Sequence, residues 1–525
     1  MGELFSHLGE GFAQALAPAN LVFAFFGVLI GTVVGVLPGI GPITAIALLI
    51  PLSFGLDPVS GLILLSGIYY GSMYGGSITS ILIRTPGEVA TVVTTIDGYE
   101  MARRGRAGPA LATSAIGSFV AGTFSTIALM LMAPLLVSIA VAFGSAEYFL
   151  LMVFALAMAT TLTTGSTLKA LIATLFGLAI AVVGIDPQTS VPRLTFGILP
   201  LNDGVDFALF AMALFAVPEA LTHLSRRGSE AGQLQRIQGR VWMSREDWRR
   251  SIGPYGRGSV IGFLIGVLPG IGPTLGSFMS YVAEKRISRR REEFGKGAIE
   301  GVAGPEAANN AGVGGAMVPL LTLGIPGSAT TALLLFVFMM YGLQPGPLMF
   351  RSDPGLVWAI IASMYVGNIV LLLLNLPLVG VFVRLLKIPT ALLFSGVLSF
   401  TVLGAYALSF DLFNMLLVLI FGLVGFLMQR YGFPLAPAVL ALVLEPLVEQ
   451  NLRRALKIAG GDPATFVDRP VSLVLVVLVV AAGAGPLVLA ARRRLRARPT
   501  AVATVGRPGS CDEEAGHHED RQGTR

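Results

Sequence analysis

Two identical eight-residue stretches carry a dense concentration of backbone chemistry. Residues 35–42 read Gly-Val-Leu-Pro-Gly-Ile-Gly-Pro, and residues 266–273 repeat the same letters. Because proline lacks an N–H donor and glycine loosens the backbone, neither octet can continue an α-helix. Unpaired amides suit an anion and unpaired carbonyls suit a cation, so the octets predict a ligand site; the alternative is a pair of structural hinges. The octet residues predicted to bind substrate are Pro38, Gly39, Gly41, Pro42, Pro269, Gly270, Gly272 and Pro273.

Three polar side chains in a later apolar segment form a second candidate site. Glu306 precedes Asn309 by one helical turn, so both lie on one face, and Asn310 follows directly. The two amides can bond a carboxylate or a sodium ion, and Glu306 can carry a coupling cation or proton. Thr322 and Gly324 are assigned to the same coupling ion. The alternatives are ordinary interhelical hydrogen bonds for the asparagines and an interfacial charge at a helix start for Glu306.

A second pair of breaks is predicted where glycine and hydroxyl residues cluster. Residues 69–80 and 304–315 are both rich in glycine, and each stretch is followed by a Pro-Gly pair. Aligning Gly75-Gly76 with Gly314-Gly315 leaves those Pro-Gly pairs one residue out of step. Hydroxyls near a break suit oxygen-rich ligands, although each one is more often bonded to its own backbone. The residues assigned to substrate here are Ser77, Thr79, Asn309, Asn310, Pro326, Gly327, Ser328 and Thr330.

The chain offers little for enzyme chemistry. Its histidines are His7, His223, His517 and His518, none in the middle of an apolar span, so acid–base or zinc chemistry by histidine inside a membrane is not expected. The sequence contains no phosphate-binding Gly-Lys-Ser/Thr loop and no dinucleotide-binding fingerprint. We therefore predict no enzyme, no cofactor and no metal beyond a transported sodium ion; the only expected ions are the coupling Na⁺ or H⁺.

The composition is that of a polytopic membrane protein. Of the 525 residues, 54% are hydrophobic and 13% are charged, and the mean hydropathy is +0.78, which is too apolar for a soluble domain. Apolar stretches of about 20 residues predict an all-α fold with about twelve transmembrane segments, and the run from 107 to 143 fits one span or two. The net charge of +6 is concentrated in a few loops, so it bears on topology and predicts no nucleic-acid partner.

The repeated octet indicates two halves of opposite orientation. Lys and Arg cluster at 245–257 and 285–291, on both sides of the second octet, whereas none occurs from Met1 through Ile83 around the first. Because positive residues favour the cytoplasm, the ends of the second hairpin belong inside and those of the first outside. Legs of about 11 residues rise about 16 Å against a bilayer core of about 30 Å, so the second octet is predicted to be the tip of a re-entrant hairpin.

These patterns predict two inverted-topology repeats with re-entrant or broken helices, which place substrate near the membrane midplane. The predicted parts are an interfacial N-terminal helix at 1–19, a first membrane repeat at 20–225, a cytoplasmic loop at 226–257, a second membrane repeat at 258–491 and a disordered cytoplasmic tail at 492–525.

Several motifs together resemble the large membrane subunit of the tripartite tricarboxylate transporters. They are residues 36–42 with their copy, 69–77, 97–106, 304–310 and 322–331, and the resemblance covers nearly all of residues 20–490. It implies a multi-pass protein of the bacterial inner membrane that is driven by a sodium or proton gradient. It also implies two protein partners, a small membrane subunit and a periplasmic solute-binding protein that delivers a carboxylate such as citrate.

Two other functions remain open from the residues alone. One is an integral membrane enzyme acting on a lipid-linked substrate, with Glu306 as its acid. The other is a scaffold that anchors partners without transport, which leaves the paired breaks within the membrane unexplained.

Overall fold

The computed structural model describes residues 2–163, 165–225, 234–235, 237, 241–270 and 272–496. Contacts group the chain into a compact unit, Met1–Gly483, and a second unit, Ala484–Arg525. The predictions for residues 226–233 and for the tail from residue 497, which holds Cys511, His517 and His518, lie outside the described residues, as does Ile271 of the second octet.

The first half of the chain is built mainly of helices. They are α1 (Gly2–Ala15), α2 (Pro18–Val36), α3 (Pro42–Ser53), α4 (Pro58–Ile83), α5 (Thr94–Met101), α6 (Ala107–Ala140), α7 (Ser145–Thr161), α8 (Thr167–Ala181) and α9 (Phe207–Ser225). A π-helical turn, Ala102–Arg106, joins α5 to α6, and 3-10 turns cover Val89–Thr91 and Leu199–Asp203. Strands β1 (Gly184–Ile185) and β2 (Pro192–Arg193) pair antiparallel, with Gly184 opposite Arg193.

The second half has the same character. Its helices are α10 (Arg245–Gly266), α11 (Gly272–Ile287), α12 (Glu300–Leu323), α13 (Ala329–Met340), α14 (Met349–Ser352), α15 (Pro354–Leu385), α16 (Thr390–Ser409), α17 (Leu412–Arg430), α18 (Ala436–Ile458) and α19 (Pro470–Arg496). The 3-10 turns here are Arg291–Glu293 and Pro463–Phe466.

Six helical stretches of the described residues are long and apolar enough to cross a membrane by themselves. They are Pro18–Val36, Thr94–Ala140, Phe207–Ser225, Pro354–Leu385, Thr390–Leu408 and Leu412–Arg430. Shorter apolar helices of 10–17 residues accompany them, including α3, α7, α8 and α13. The prediction of an all-α polytopic membrane protein is confirmed, and α6 makes the run from 107 to 143 one long helix instead of two.

Helices α4 and α12 lie at the centre of the fold. Every residue of α4 from Ser60 to Ile83 and of α12 from Glu300 to Thr322 is buried. The predicted breaks within 69–80 and 304–315 are therefore wrong, because both stretches are continuous helix. Glycine costs about 1 kcal/mol in a helix, but here it allows close packing: a Cβ on Gly71 would lie 2.8 Å from the Thr32 amide nitrogen of α2.

Helix α10 is longer than the short leg predicted before the second octet. It has 22 residues and begins at Arg245, inside the stretch 226–257 predicted as a loop. Ser244 caps it by accepting a hydrogen bond from the Asp247 amide at 3.1 Å, and the Asp247 carboxylate accepts one from the Ser244 amide. This reciprocal capping box starts the helix in polar sequence, where apolar patterning alone gives no signal.

Candidate functional site

Both octets break a helix, as predicted. α2 and α10 end near the start of their octets, and α3 and α11 begin near the end. The fifth octet residue, Gly39 in one half and Gly270 in the other, has a φ of +88° and +85° respectively. This left-handed conformation strains residues that carry a Cβ, so both halves need a glycine at this position. The turns differ two residues later, where Gly272 has a φ of +64° and Gly41 a φ of −75°.

A row of glycines brings each octet against a central helix. These residues, four apart, are Gly27, Gly31 and Gly35 in α2 and Gly258, Gly262 and Gly266 in α10. A Cβ on Gly35 would lie 2.8 Å from the Cα of Ser72 in α4, and a Cβ on Gly266 would lie 2.8 Å from the Cα of Gly312 in α12. Small residues allow helix backbones to touch, so these contacts fix the position of each octet along its central helix.

The contact between α4 and α12 places the two octets at one level. The Asn309 side-chain amide lies 3.5 Å from the Met73 carbonyl oxygen. Met73 is next to Ser72, the contact of the first octet, and Asn309 is three residues before Gly312, the contact of the second. Three helical residues rise about 4.5 Å, so the two breaks begin within about one turn of each other along the bundle.

The central helices run in opposite directions. Ser77 contacts Glu306, whereas Met73, one turn earlier in α4, contacts Asn309, which comes later in α12. The glycine contacts advance together along α2 and α4 and along α10 and α12, so each of those pairs is parallel. The two octet-bearing helices therefore point in opposite directions, as inverted repeats require.

The breaks after α4 and α12 occupy corresponding positions in the two halves. Arg84 and Gly324 both end their helices in the left-handed region, and they lie 240 residues apart in the sequence. The predicted alignment of the paired glycines is one residue off: Gly75 packs on the Cα of Gly35 and Gly315 on the Cα of Gly266, both at 3.0 Å. When Gly75 is aligned with Gly315, the paired glycines, the helix ends and the Pro-Gly pairs of the two halves are all 240 residues apart in the sequence.

The second octet turn packs against the break that follows α12. The Gly270 and Gly272 amides donate to the Gly327 carbonyl oxygen at 3.0 and 3.1 Å. Ser328, the next residue, caps α13, and its hydroxyl lies 3.4 Å from the Tyr69 hydroxyl of α4. The structure thus brings Gly270 and Gly272 of this octet together with Gly327 and Ser328, and adds Tyr69.

The first octet turn packs against residues that the sequence did not single out. A Cβ on Gly39 would reach the facing ends of Glu219 and His223 in α9. The His223 Nε2 lies 3.0 Å from a Glu219 carboxylate oxygen, and its ring stacks on Phe394 with centroids 4.3 Å apart. His223 lies near the end of α9, so its sequence position gave no signal. The Gly39 turn thus contacts α9, and the first octet also lies against the break after α4, where a Cβ on Gly87 would touch the Gly35 carbonyl oxygen.

Glu306 is enclosed by hydroxyl groups. Its side chain is fully buried, and its carboxylate accepts hydrogen bonds from Ser77 and Thr94 and, at 2.9 Å, from Ser114. No Lys, Arg or His forms an ion pair with it in the part of the chain that the structure describes. Thr94 and Ser114 were missed because they come from α5 and α6, about 200 residues away in sequence.

The two asparagines have different surroundings. Asn310 donates to the Ser118 hydroxyl at 2.7 Å and to the Glu306 carbonyl oxygen at 3.2 Å. The Asn309 side-chain oxygen is buried without a hydrogen-bond partner among the described residues. Asn309 is therefore a predicted site residue with a buried and unused acceptor oxygen.

The remaining predicted residues are less closely connected to Glu306. Thr79 donates to its own helix at the Gly76 carbonyl, and Thr322 does so at Val318. Thr322 lies sixteen residues beyond Glu306 on one helix, about 24 Å away, with Gly324 at the helix end. The structure does not bring Thr322 and Gly324 into one ion site with Glu306. Thr330 is buried in the first turn of α13.

Comparisons with known proteins identify one family and two relatives. Residues 21–440 match the family model described as the tripartite tricarboxylate transporter TctA family. An uncharacterized 52.8 kDa protein in the TAR-I ttuC' 3' region of Agrobacterium vitis is 48% identical over 481 residues, 92% of this chain and 96% of that protein. A second uncharacterized Agrobacterium vitis protein, in the TAR-II ttuC' 3' region, is 46% identical over 211 residues, 40% of this chain and 87% of that protein. No solved structure matches the chain.

The family match decides between the functions that the residues left open. The matched family consists of transporters and not of enzymes, so the alternative of a membrane enzyme acting on a lipid-linked substrate is set aside. A model match over most of the chain, and a relative of nearly equal length at 48% identity, leave one assignment. The chain belongs to the tripartite tricarboxylate transporter TctA family.

Proposed function

We propose that the chain is the large transmembrane subunit of a binding-protein-dependent secondary transporter that imports an organic di- or tricarboxylate, such as citrate, by sodium or proton symport. Membership of the TctA family supports a transporter with further subunits. In this proposal a small membrane subunit completes the membrane part and a periplasmic solute-binding protein delivers the substrate. The protein lies in the bacterial inner membrane.

The observation that carries the proposal is the isolation of Glu306. An ionised carboxylate is costly inside a membrane protein unless a counter-charge or proton accompanies it. Among the described residues, the side-chain hydrogen bonds that this carboxylate accepts come from three hydroxyl groups. A sodium ion or proton arriving at Glu306 removes the cost, so occupation of this site can change the stability of one arrangement of α4, α5, α6 and α12 relative to another.

The substrate is assigned to the level of the octets. Helices α3, α11 and α13 begin at the breaks, and helix starts carry partial positive charge that favours a carboxylate. The Asn309 amide makes one long bond at 3.5 Å and keeps a free oxygen, so it can turn toward a ligand. The octet residues and the predicted residues from Pro326 to Thr330 keep their substrate-binding role in this proposal.

The test is uptake of labelled citrate and other carboxylates into proteoliposomes that contain this chain with its small subunit. Uptake is expected to require the added binding protein and an imposed sodium or proton gradient. Glu306→Gln removes the ionisable group at nearly constant volume, so gradient-driven uptake is expected to fall at least about tenfold. Binding of the solute-binding protein without flux in the unaltered protein would favour the scaffold instead.

Glu147→Gln is the matched control. Glu147 is as buried as Glu306, but it has a cation: Arg469 lies 3.3 Å away and the Ser472 hydroxyl donates to it at 2.7 Å. Its role is to cap α7, whose first residue follows Gly144. This substitution is expected to lower the melting temperature and to leave the gradient dependence of uptake unchanged. Equal losses of uptake in the two variants would contradict the role of Glu306.

A further inference from the structure

A small cavity lies one helical turn from Glu306. Its polar wall comes from four helices: Tyr70 of α4, Ser125 and Thr126 of α6, Asn310 of α12 and Asn368 of α15. The cavity volume is about 20 Å³, which is room for one water molecule or one ion of similar size. None of these residues except Asn310 belongs to the site predicted from the sequence.

The two hydroxyl groups from α6 already donate their hydrogens to the backbone. Ser125 donates to the Gly122 carbonyl oxygen at 3.0 Å and Thr126 donates to the same oxygen at 2.8 Å. A hydroxyl has one hydrogen and two lone pairs, so what remains on each is acceptor capacity. Both side chains therefore offer oxygen lone pairs to the cavity.

The two amides are committed in the same way. Asn368 uses its NH₂ group on the Phe119 carbonyl at 2.8 Å and on the Thr123 hydroxyl at 2.9 Å. Asn310 uses its NH₂ group on the Ser118 hydroxyl and the Glu306 carbonyl. Each amide has two hydrogens, so only its carbonyl oxygen is left for a ligand.

Tyr70 completes the wall. Its hydroxyl is buried and makes no hydrogen bond of good geometry among the described residues, although Ser66 lies close by. Buried polar groups without partners are uncommon and call for a ligand, a water or an ion. Apart from the Tyr70 hydroxyl, the polar groups of the wall are left with acceptor oxygens, supplied by Ser125, Thr126, Asn310 and Asn368. Acceptor oxygens around an ion-sized space favour a cation over an anion, because an anion needs donors.

We propose that this cavity binds a sodium ion through the side-chain oxygens of Asn310, Asn368, Ser125 and Thr126, with the Tyr70 hydroxyl facing it. Among the residues that the structure describes, no carboxylate lines the cavity, which disfavours Mg²⁺ and Ca²⁺, since these ions are usually held by carboxylates. Asn310 donates to the backbone carbonyl oxygen of Glu306 at 3.2 Å, and in this proposal the carboxylate of Glu306, one helical turn from Asn310, balances the charge of the ion. The inference rests on the proposed symport, and it names the coupling ion and the site where that ion binds.

The test measures sodium binding by the purified protein, without substrate or partners. Binding of ²²Na⁺ and the melting temperature are followed as NaCl replaces choline chloride at constant ionic strength. Saturable binding and a matching rise in melting temperature are expected. Thr126→Val keeps the shape of the side chain and removes one oxygen, so sodium affinity is expected to fall at least about tenfold. Ser125→Ala is expected to act in the same direction, which covers a variant that fails to fold.

Asn375→Ala is the matched control. Asn375 lies seven residues after Asn368 on the same face of α15 and is buried, but it lies outside the cavity and donates to Leu371. The sodium affinity of the Asn375→Ala variant is expected to equal that of the unaltered protein. Absence of saturable sodium binding, or equal weakening by Thr126→Val and Asn375→Ala, would overturn the inference and leave a water in the cavity.

The outcomes also separate this inference from the proposed function. If a proton gradient drives carboxylate uptake and the protein binds no sodium, the sodium-binding site is overturned but the proposed symport still holds. If the protein binds sodium, the cavity variants weaken that binding and no carboxylate is taken up, the sodium-binding site holds but the proposed import is overturned.

Discussion

Glycine residues within the octets differ in how much they tolerate a side chain. An alanine at Gly39 or Gly270 must adopt a φ near +85°, which costs about 1–2 kcal/mol. At Gly39 the atoms nearest to the new methyl are the movable ends of Glu219 and His223, whereas at Gly270 they are the backbone of Ala159 at 2.6–2.8 Å. We expect Gly270→Ala to lower the melting temperature more than Gly39→Ala, measured in detergent.

Gly41→Ala is the control for these two variants. Gly41 has a φ of −75°, and a Cβ built there meets no atom of the described residues within 4 Å. Its melting temperature is expected to stay close to that of the unaltered protein. If all three variants lost the same stability, the left-handed turns and the contact with Ala159 would not be the cause.

Single residues of the candidate site were only partly predictable. Glu306 and Asn310 were identifiable because polar groups in an apolar segment are costly and need a reason. Their partners Ser114 and Ser118 were not, because both lie in α6 and meet α12 only through tertiary packing. Periodicity reports which face of a helix is buried, but it does not report which distant helix covers that face.

At the level of helices, the sequence predicted breaks well where proline and glycine occur together and poorly where glycine occurs alone. Both octets and both Pro-Gly pairs interrupt helices. The glycine-rich stretches 69–80 and 304–315 do not, since their glycines face neighbouring helices at close range. A glycine that allows two backbones to touch can return in packing what it costs in helix propensity.

The β1–β2 hairpin is tied to α18 by an ion pair with a pH signature. Arg453 donates to both Asp186 oxygens at 3.0 and 2.8 Å, and the Gln188 amide donates to one of them at 2.8 Å. The Arg453 guanidinium, helped by that amide, holds the pKa of Asp186 well below its usual range. A carboxylate with a lowered folded-state pKa stabilises the fold above its unfolded pKa, about 3.9, and the contribution is lost as the pH falls further.

Asp186→Asn is therefore expected to lower the melting temperature at pH 7, by an amount that stays constant down to about pH 5 and shrinks below about pH 4. Thermal unfolding of both proteins across that pH series is the measurement. Arg453→Gln removes the other partner, so its difference in melting temperature from the unaltered protein is also expected to shrink below about pH 4. If the difference for either variant stayed unchanged down to pH 3, the ion pair would not be its cause.

Over the whole molecule, the two halves share one plan of contacts. In each half an octet-bearing helix lies parallel to a central helix, and that central helix ends in the left-handed region just before a Pro-Gly pair. The central helices cross antiparallel between Ser77–Glu306 and Met73–Asn309. Such an arrangement allows one half to move against the other around a site near their crossing, which is how inverted repeats achieve alternating access.

The antiparallel crossing makes a prediction about sidedness. Gly55, in the loop after α3, and Glu292, in the turn after α11, occupy corresponding places and are both exposed. If the halves are inverted, Gly55→Cys in a Cys511→Ser background reacts with a membrane-impermeant maleimide in spheroplasts, which expose the outer face of the inner membrane. Glu292→Cys then reacts only in inverted vesicles, because the excess of arginine around it predicts that this segment faces the cytoplasm. Labelling of both residues from the same side would show that the two hairpins enter from one face, and the opposed halves would no longer explain how the site opens to each side in turn.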